Sequence, residues 1–304
     1  MDAKFPAALH NMYSFILAFV VAGCAVAYKS EQPRPIGSRC SSEQTSPFFT
    51  NSLGMRMKYV PPGTFEMGSP ATNIPEVYRK LEEPHQADIA KGYYLGVTEV
   101  TNRQYLAFRD ATKYAGGLGT SKDFLRHLDD PDFSAYRDTD QPVSFVSWHD
   151  AREFCDWLSK KEGRRYRLPG DEEWEYACRA GTTWEFGCTD SKDNIGKYAW
   201  FNDNSGGHPH AVATKEANGW GFHDMNGNIW EWTSTIFPEE VFVGSEYAGQ
   251  KVAHMRGGGF FNKELALRCS GRWAGWPVTH RSLGTGFRVV CEKEPTSVTA
   301  GGKQ

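Results

Sequence analysis

The sequence lacks an excess of either charge, a membrane-length apolar run and any evident internal repeat, and each absence narrows what the chain is. Its 34 Lys and Arg against 37 Asp and Glu leave no basic footprint for nucleic acid and no polybasic patch for a membrane surface. The early apolar run from Phe15 to Ala22 is too short to cross a bilayer. Without repeats, 304 residues make one large or two ordinary domains. What is abundant is glycine and aromatic side chain: 31 Gly, 10 Trp, 19 Phe and 13 Tyr describe a loop-rich domain held by aromatic packing, not a helix bundle.

The ends of the chain differ in character from its middle. Residues 1–27 have Lys4 as their only early basic residue, then an apolar stretch and small residues, the pattern of a secretory signal. Val21-Ala22-Gly23-Cys24 resembles the lipobox of bacterial lipoproteins, which makes Cys24 the lipidated N-terminus and anchors the protein to the cell envelope, at the periplasmic side or the cell surface. Cleavage after Ala25-Val26-Ala27 is the competing reading, and both export the protein. Residues 28–50 read as a flexible linker, 51–292 as the globular domain and 293–304 as a disordered tail.

Within the domain, Met57–Ser69 holds two short strand-like runs flanking the Pro61-Pro62-Gly63 turn and predicts a hairpin. Tyr93–Val100 is β-rich and leads into Thr101-Asn102-Arg103-Gln104, a capping box ahead of a helix that buries Tyr105 and Phe108. A second helix follows Ser147, with Ala151, Phe154, Cys155 and Leu158 as its apolar stripe. A third, after Pro169-Gly170, loads its first turn with Asp171, Glu172 and Glu173. Gly284–Cys291 reads as a closing strand.

The densest chemistry lies between Gly221 and Trp232, where Asp224, Asn226, Asn228 and Glu231 place four potential oxygen ligands in eight residues. Oxygen-only donors point to calcium, although Gly227 and Glu231 stand at the fourth and eighth positions, not the sixth and twelfth of an EF-hand. A polar turn whose Asn and Asp side chains cap their own backbone is the alternative. His208 and His210, with His149, His223 or His280, show no spacing typical of a non-haem iron triad.

From Met55 to Cys291 the motifs appear in an order that resembles the formylglycine-generating enzyme, or sulfatase-modifying factor, family. They are the Pro61–Ser69 opening, Glu99-Val100-Thr101-Asn102, Pro142–Trp148, Tyr166–Pro169, Glu173–Ala177, Gly227–Trp232, Arg256-Gly257-Gly258 and Gly286-Phe287-Arg288. The resemblance implies an α+β, C-type lectin-like fold of the formylglycine-generating enzyme type, low in regular secondary structure. It implies a structural calcium ion on Asp224, Gly227, Ile229 and Glu231, a disulfide between Cys178 and Cys269, and a reach from Cys155 to Cys291. Cys40 and Cys188 are left, paired or free. A nucleophilic role for Cys269 is the weaker reading in an exported chain.

The family oxidises a sulfatase cysteine to formylglycine with copper(I), held by a cysteine pair after the Gly-Gly motif. Here Gly259–Leu267 contains no cysteine, so no copper is expected. The groove that holds the substrate peptide in the family corresponds to Phe260, Phe261, Asn262, Arg272, Trp273, Trp276 and His280, with Arg268 and Arg281 interleaved; Trp273 and Trp276 also fit a tryptophan-rich core. Two functions follow as expectations. One is a non-catalytic lipoprotein gripping a peptide, protein or glycan there, in a pointed version resembling the variable proteins of diversity-generating retroelements. The other is a metal-dependent oxidase or oxygenase acting on a cysteine-containing protein or small thiol through other ligands.

Overall fold

The structure, a computed structural model, describes residues 46–70, 76–114, 135–136, 138–237, 247–272 and 274–293. The signal and Cys24, most of the 28–50 linker, the tail from residue 294, Cys40 and Trp273 lie outside the described residues.

Local polar chemistry starts the helices where the sequence expects them. After the four-residue α1 (Glu76–Arg79), α2 (Asn102–Thr112) is opened by Thr101, whose hydroxyl accepts from Gln104 N–H while Gln104 Oε1 accepts from Thr101 N–H at 2.9 Å. Helix α3 (Trp148–Glu162) opens on the reciprocal Ser147–Asp150 pair and stops at Gly163 in the left-handed region, φ 66°. Helix α4 (Asp171–Arg179) keeps its three acidic residues in the first turn, where Glu173 accepts from Gly170 N–H at 2.7 Å.

The strands are β1 (Phe48–Thr50), β2 (Arg56–Val60), β3 (Gly63–Met67), β4 (His85–Ile89), β5 (Tyr93–Gly96), β6 (Tyr166–Arg167), β7 (Trp230–Ile236), β8 (Val252–Arg256), β9 (Ala274–Pro277), β10 (Thr285–Gly286) and β11 (Val290–Glu292). They form a five-stranded sheet β1-β2-β5-β11-β6, a four-stranded sheet β10-β7-β8-β9 and the ribbon β3-β4. All pairings are antiparallel except β10 with β7.

Three expectations are corrected. The Pro-Pro-Gly turn does not close a hairpin: β2 joins β1 and β5, whereas β3 leaves for β4. Two consecutive prolines supply no N–H to a ladder and send the chain into a second sheet. The closing strand is two short strands in different sheets, split at Phe287 and Arg288, which are both fully buried. And β1 falls inside the stretch read as linker, so the domain begins earlier than residue 51.

The core is aromatic, as composition requires. Tyr105 from α2 stacks on Phe154 from α3 at 5.8 Å, and Phe287 meets Phe154 edge-on at 5.4 Å. Each such pair adds about 0.5–1.5 kcal/mol beyond its buried area. A second cluster gathers Trp174, Tyr93, Phe222 and Cys178 under α4, and a third holds Phe186, Cys188 and Phe201. Between the sheets the polar material is ionic: Asp171 and Glu175 on α4 take Arg256, Arg179 and Arg272 in one buried network. Burial alone would raise the Asp171 carboxyl, but Arg256 outweighs it and holds the group well below the carboxylate range.

Candidate functional site

The Gly221–Trp232 loop is built from conformations that few residues adopt. Asp224, Gly227 and Asn228 all have positive φ, 56°, 88° and 62°. At Gly227 a Cβ would stand 2.3 Å from the Trp200 carbonyl oxygen, so only glycine fits. Asn228 then works as a clamp: its Oδ1 accepts from His210 N–H at 2.9 Å, its amide donates to His210 O, and its own carbonyl accepts from Phe260 N–H at 2.8 Å. The turn reading, with Asn and Asp side chains serving backbone, therefore describes much of this loop.

The acidic residues of the loop meet a partner that spacing did not reveal. Arg288 donates to both oxygens of Glu231, each at 2.6 Å, and Trp174 Nε1 donates to Glu231 Oε2 at 2.8 Å. Both carboxylate oxygens of Glu231 are thus engaged by protein donors. Asp224 accepts Ala213 N–H at 2.7 Å through Oδ2, and its Oδ1 is buried without a partner. Glu99 joins them from the segment after β5, fully buried, with neither oxygen hydrogen-bonded. Burial raises Glu99 well above its usual value and Asp224 to about 6. Among the described residues no three His, Cys, Asp or Glu side chains converge as a metal site. Glu99 and Arg288 stood inside quoted motifs, but neither spacing nor local periodicity signals that they meet 189 positions apart.

The groove residues separate. Phe260 is buried and Phe261 half-buried, their rings 5.0 Å apart edge-to-face, and the loop beneath them is closed by hydrogen bonds. Asn262 Oδ1 accepts from Gly259 N–H at 2.9 Å, Asn262 O accepts from Asn202 N–H at 2.9 Å, and Ser205 Oγ donates to Phe260 O at 2.7 Å. Trp276 and His280 stack on each other at 4.0 Å, and both residues are half-buried. Trp276 is level with Ala253 and hence with the far end of β7, whereas Phe261 packs near Gly284 beside the start of β7. Arg272 is no groove residue: it is 7% exposed, pairs with Glu175 and Asp171, and donates to Leu81 O at 2.9 Å. Arg268 likewise faces Glu82 through two 2.9 Å contacts, and Arg281 faces Asp150. Burial drops His280 to about 4, and its Nε2 has no partner.

The other imidazoles are scattered. His210 stacks on Trp200 at 3.7 Å and contacts Ser205 O, His208 lies 4.7 Å from His210, and His223 Nδ1 lies 2.9 Å from Lys215 O. His149 sits at the start of α3 beside Trp148.

All five described cysteines are buried and unbridged. Cys178 and Cys269 are neighbours whose interaction, after burial itself, raises the Cys178 thiol, and Cys188 lies close to both. Cys155 on α3 and Cys291 on β11 share the main core cluster.

Comparison with known proteins places this architecture. Residues 44–293 match the sulfatase-modifying factor enzyme 1-like domain. The formylglycine-generating enzyme of Mus musculus is 28% identical over 316 residues, covering 85% of this chain and 82% of that protein. The inactive C-alpha-formylglycine-generating enzyme 2 of Bos taurus is 27% identical over 230 residues, covering 62% of this chain and 73% of that protein. Among solved structures, PvdO from Pseudomonas aeruginosa superposes with a TM-score of 0.67 at 24% identity, covering 83% of this chain and all, 100%, of that one. Treponema denticola variable protein 1 gives 0.62 at 21%, covering 82% and 100%. The fold is the C-type lectin-like fold of the formylglycine-generating enzyme type, and the chain belongs to the sulfatase-modifying factor family.

Proposed function

We propose that this protein is an exported, lipid-anchored binding module that does not carry out the cysteine oxidation of the formylglycine-generating enzymes. One observation carries the reading: the loop after the Gly-Gly motif has no thiol, and its polar atoms are committed to closing it. Asn262 caps Gly259, while the carbonyls of Phe260 and Asn262 accept from Ser205 and Asn202. Copper(I) needs soft thiolate ligands, and the described cysteines are each 9% exposed or less, in the core.

The ligand is a peptide, protein or glycan, held at the surface that carries Trp276 and His280, with Trp273 on the same segment. An indole stacked on an uncharged imidazole offers a flat, largely apolar face. The fold shared with Treponema denticola variable protein 1 supports the narrower version, in which residues from about Phe260 to Arg288 are the diversified segment of a retroelement variable protein.

The test is mass spectrometry of a sulfatase-type cysteine peptide incubated with the Tyr28–Gln304 fragment, with and without copper or iron. No formylglycine is expected; conversion overturns the binding reading in favour of an oxidase with other ligands.

A further inference from the structure

We propose that the free edge of β1 and the turn between α3 and β6 form a docking surface for a membrane rich in anionic phospholipid headgroups. The inference goes beyond the binding function proposed above and takes from it only that the domain faces a membrane.

Charge is the first argument. The totals, 34 basic against 37 acidic residues, argue against a polybasic patch, but the charges are not spread evenly. Lys160-Lys161-Glu162-Gly163-Arg164-Arg165-Tyr166-Arg167 carries five cations and one carboxylate in eight residues. Lys160, Lys161, Arg164 and Arg165 are exposed. Glu162 is engaged by neutral donors: it accepts from Ser52 N–H at 2.8 Å, from Ser52 Oγ at 2.6 Å and from Tyr166 Oη at 2.5 Å. Arg165 meets Glu292 at 3.2 Å with its side chain 74% exposed, a pair weak enough to open, whereas Arg167 is held by Glu173 and Glu292.

Aromatic placement is the second. Strand β1 is the outer strand of the five-stranded sheet, and its far edge has no strand partner among the described residues. Phe48 on it is 37% exposed, with the Arg56 guanidinium 4.5 Å and the Lys58 ammonium 5.2 Å from its ring centroid. Its neighbour Phe49 has Arg164 at 4.7 Å. The Ser52–Glu162 bonds tie the α3–β6 turn to the loop after β1, so the two segments make one surface. Rings bordered by cations suit a headgroup layer, where the ring enters the acyl boundary and the cations meet phosphates. Beside Arg165, a cleft of about 420 Å³ between α3 and β6, lined also by Arg152, Trp148 and Ser234, gives a phosphate room to enter.

Position selects a lipid surface over a soluble polyanion. The lipobox cysteine, Cys24, stands 22 positions before Ser46, which is two residues from Phe48. The surface therefore lies where the chain arrives from the anchor, within about 75 Å of it even at full extension. Cations at an edge strand also discourage sheet-to-sheet pairing, but that role needs neither an exposed phenylalanine between them nor a run of charge in the neighbouring turn.

The test is co-sedimentation of the full chain with vesicles of pure phosphatidylcholine, or of phosphatidylcholine with about one-third phosphatidylglycerol, at low and high salt. The anionic vesicles bind about tenfold or more tighter at low salt, and the gain disappears at high salt. Lys160→Gln, Lys161→Gln and Arg164→Gln together remove most of that gain, and Phe48→Ala weakens binding to the anionic vesicles about threefold. Equal binding to the two vesicle types overturns the proposal, as does a gain that the triple variant leaves intact. If circular dichroism shows the triple variant unfolded, a gain that survives both high salt and Phe48→Ala overturns it equally. Retention on a sulfated polysaccharide without vesicle binding in the same buffer assigns the cations to another polyanion and overturns it too. Incorporation of labelled fatty acid at Cys24 in cells tests the anchor separately, so failure of one reading leaves the other standing.

Discussion

Replacing Arg288 with methionine tests the idea that one buried guanidinium organises the Gly221–Trp232 loop. Its side chain is fully buried and donates twice to Glu231 at 2.6 Å, and to the carbonyls of Gly96, His223 and Asp224 at 3.2, 3.1 and 3.3 Å. Methionine fills similar volume but leaves Glu231 with Trp174 as its remaining donor and strips the cluster of its cation. Breaking a buried pair costs about 3–5 kcal/mol, and stranding carbonyls adds about 1 kcal/mol or more. With roughly 2–4 °C per kcal/mol for a domain of this size, Tm in chelator-containing buffer falls by about 10–20 °C. Arg288→Lys keeps the charge and loses the fork, so about half that loss is expected. Adding Glu231→Gln to Arg288→Met recovers part of the stability, since the stranded charge is gone. Urea and thermal denaturation of the four proteins measure this directly. A loss under about 1 kcal/mol for Arg288→Met, or no recovery in the double variant, would refute the reasoning.

Three more outcomes are expected. Asp150 is buried, which by itself raises a carboxyl, yet hydrogen bonds from Arg281 and Ser147 hold it below its usual value. Its stabilisation is therefore complete above pH about 4 and is lost as pH falls through the lower folded value; Asp150→Asn removes it, costing about 3 kcal/mol at pH 7 by urea denaturation and flattening the acid limb. Peptide mapping without reductant after oxidative refolding yields a Cys178–Cys269 bridge, and Cys178→Ser then loses about 4 kcal/mol relative to the oxidised wild type; a Cys188 linkage instead refutes the pairing. Because burial holds His280 at about 4, ligand affinity at the Trp276 surface stays flat between pH 8 and pH 5, and Trp276→Ala abolishes binding while changing Tm by only a few degrees.

Much of the fold was legible where local chemistry decides it. The Thr101–Gln104 and Ser147–Asp150 caps and the acidic start after Gly170 mark three helices, because a cap needs only residues a turn apart. Strand partners are decided at long range, and there local reading failed: the hairpin at Pro61-Pro62 does not form, and the single closing strand divides at Arg288. The same limit governs the site. Counting oxygens between Asp224 and Glu231 found the loop, but the guanidinium that takes Glu231 lies 57 residues on and Glu99 lies 125 residues before Asp224. Arg272 misled for the opposite reason. An arginine among aromatics resembles a ligand anchor, and only packing shows it neutralising Glu175 and Asp171.

The positions of β10 and β11 govern the order in which the molecule assembles. Strand β11 inserts between β5 and β6 inside the five-stranded sheet, and β10 lies parallel to β7 at the rim of the other. Residues 285–292 thus complete both sheets, so a ribosome must release almost the whole domain before either one can close. A nascent chain ending short of Thr285 carries β5 and β6 without the strand that joins them, and its folding waits for residues 285–292. That delay leaves the five-stranded sheet open until nearly the whole domain has been synthesised.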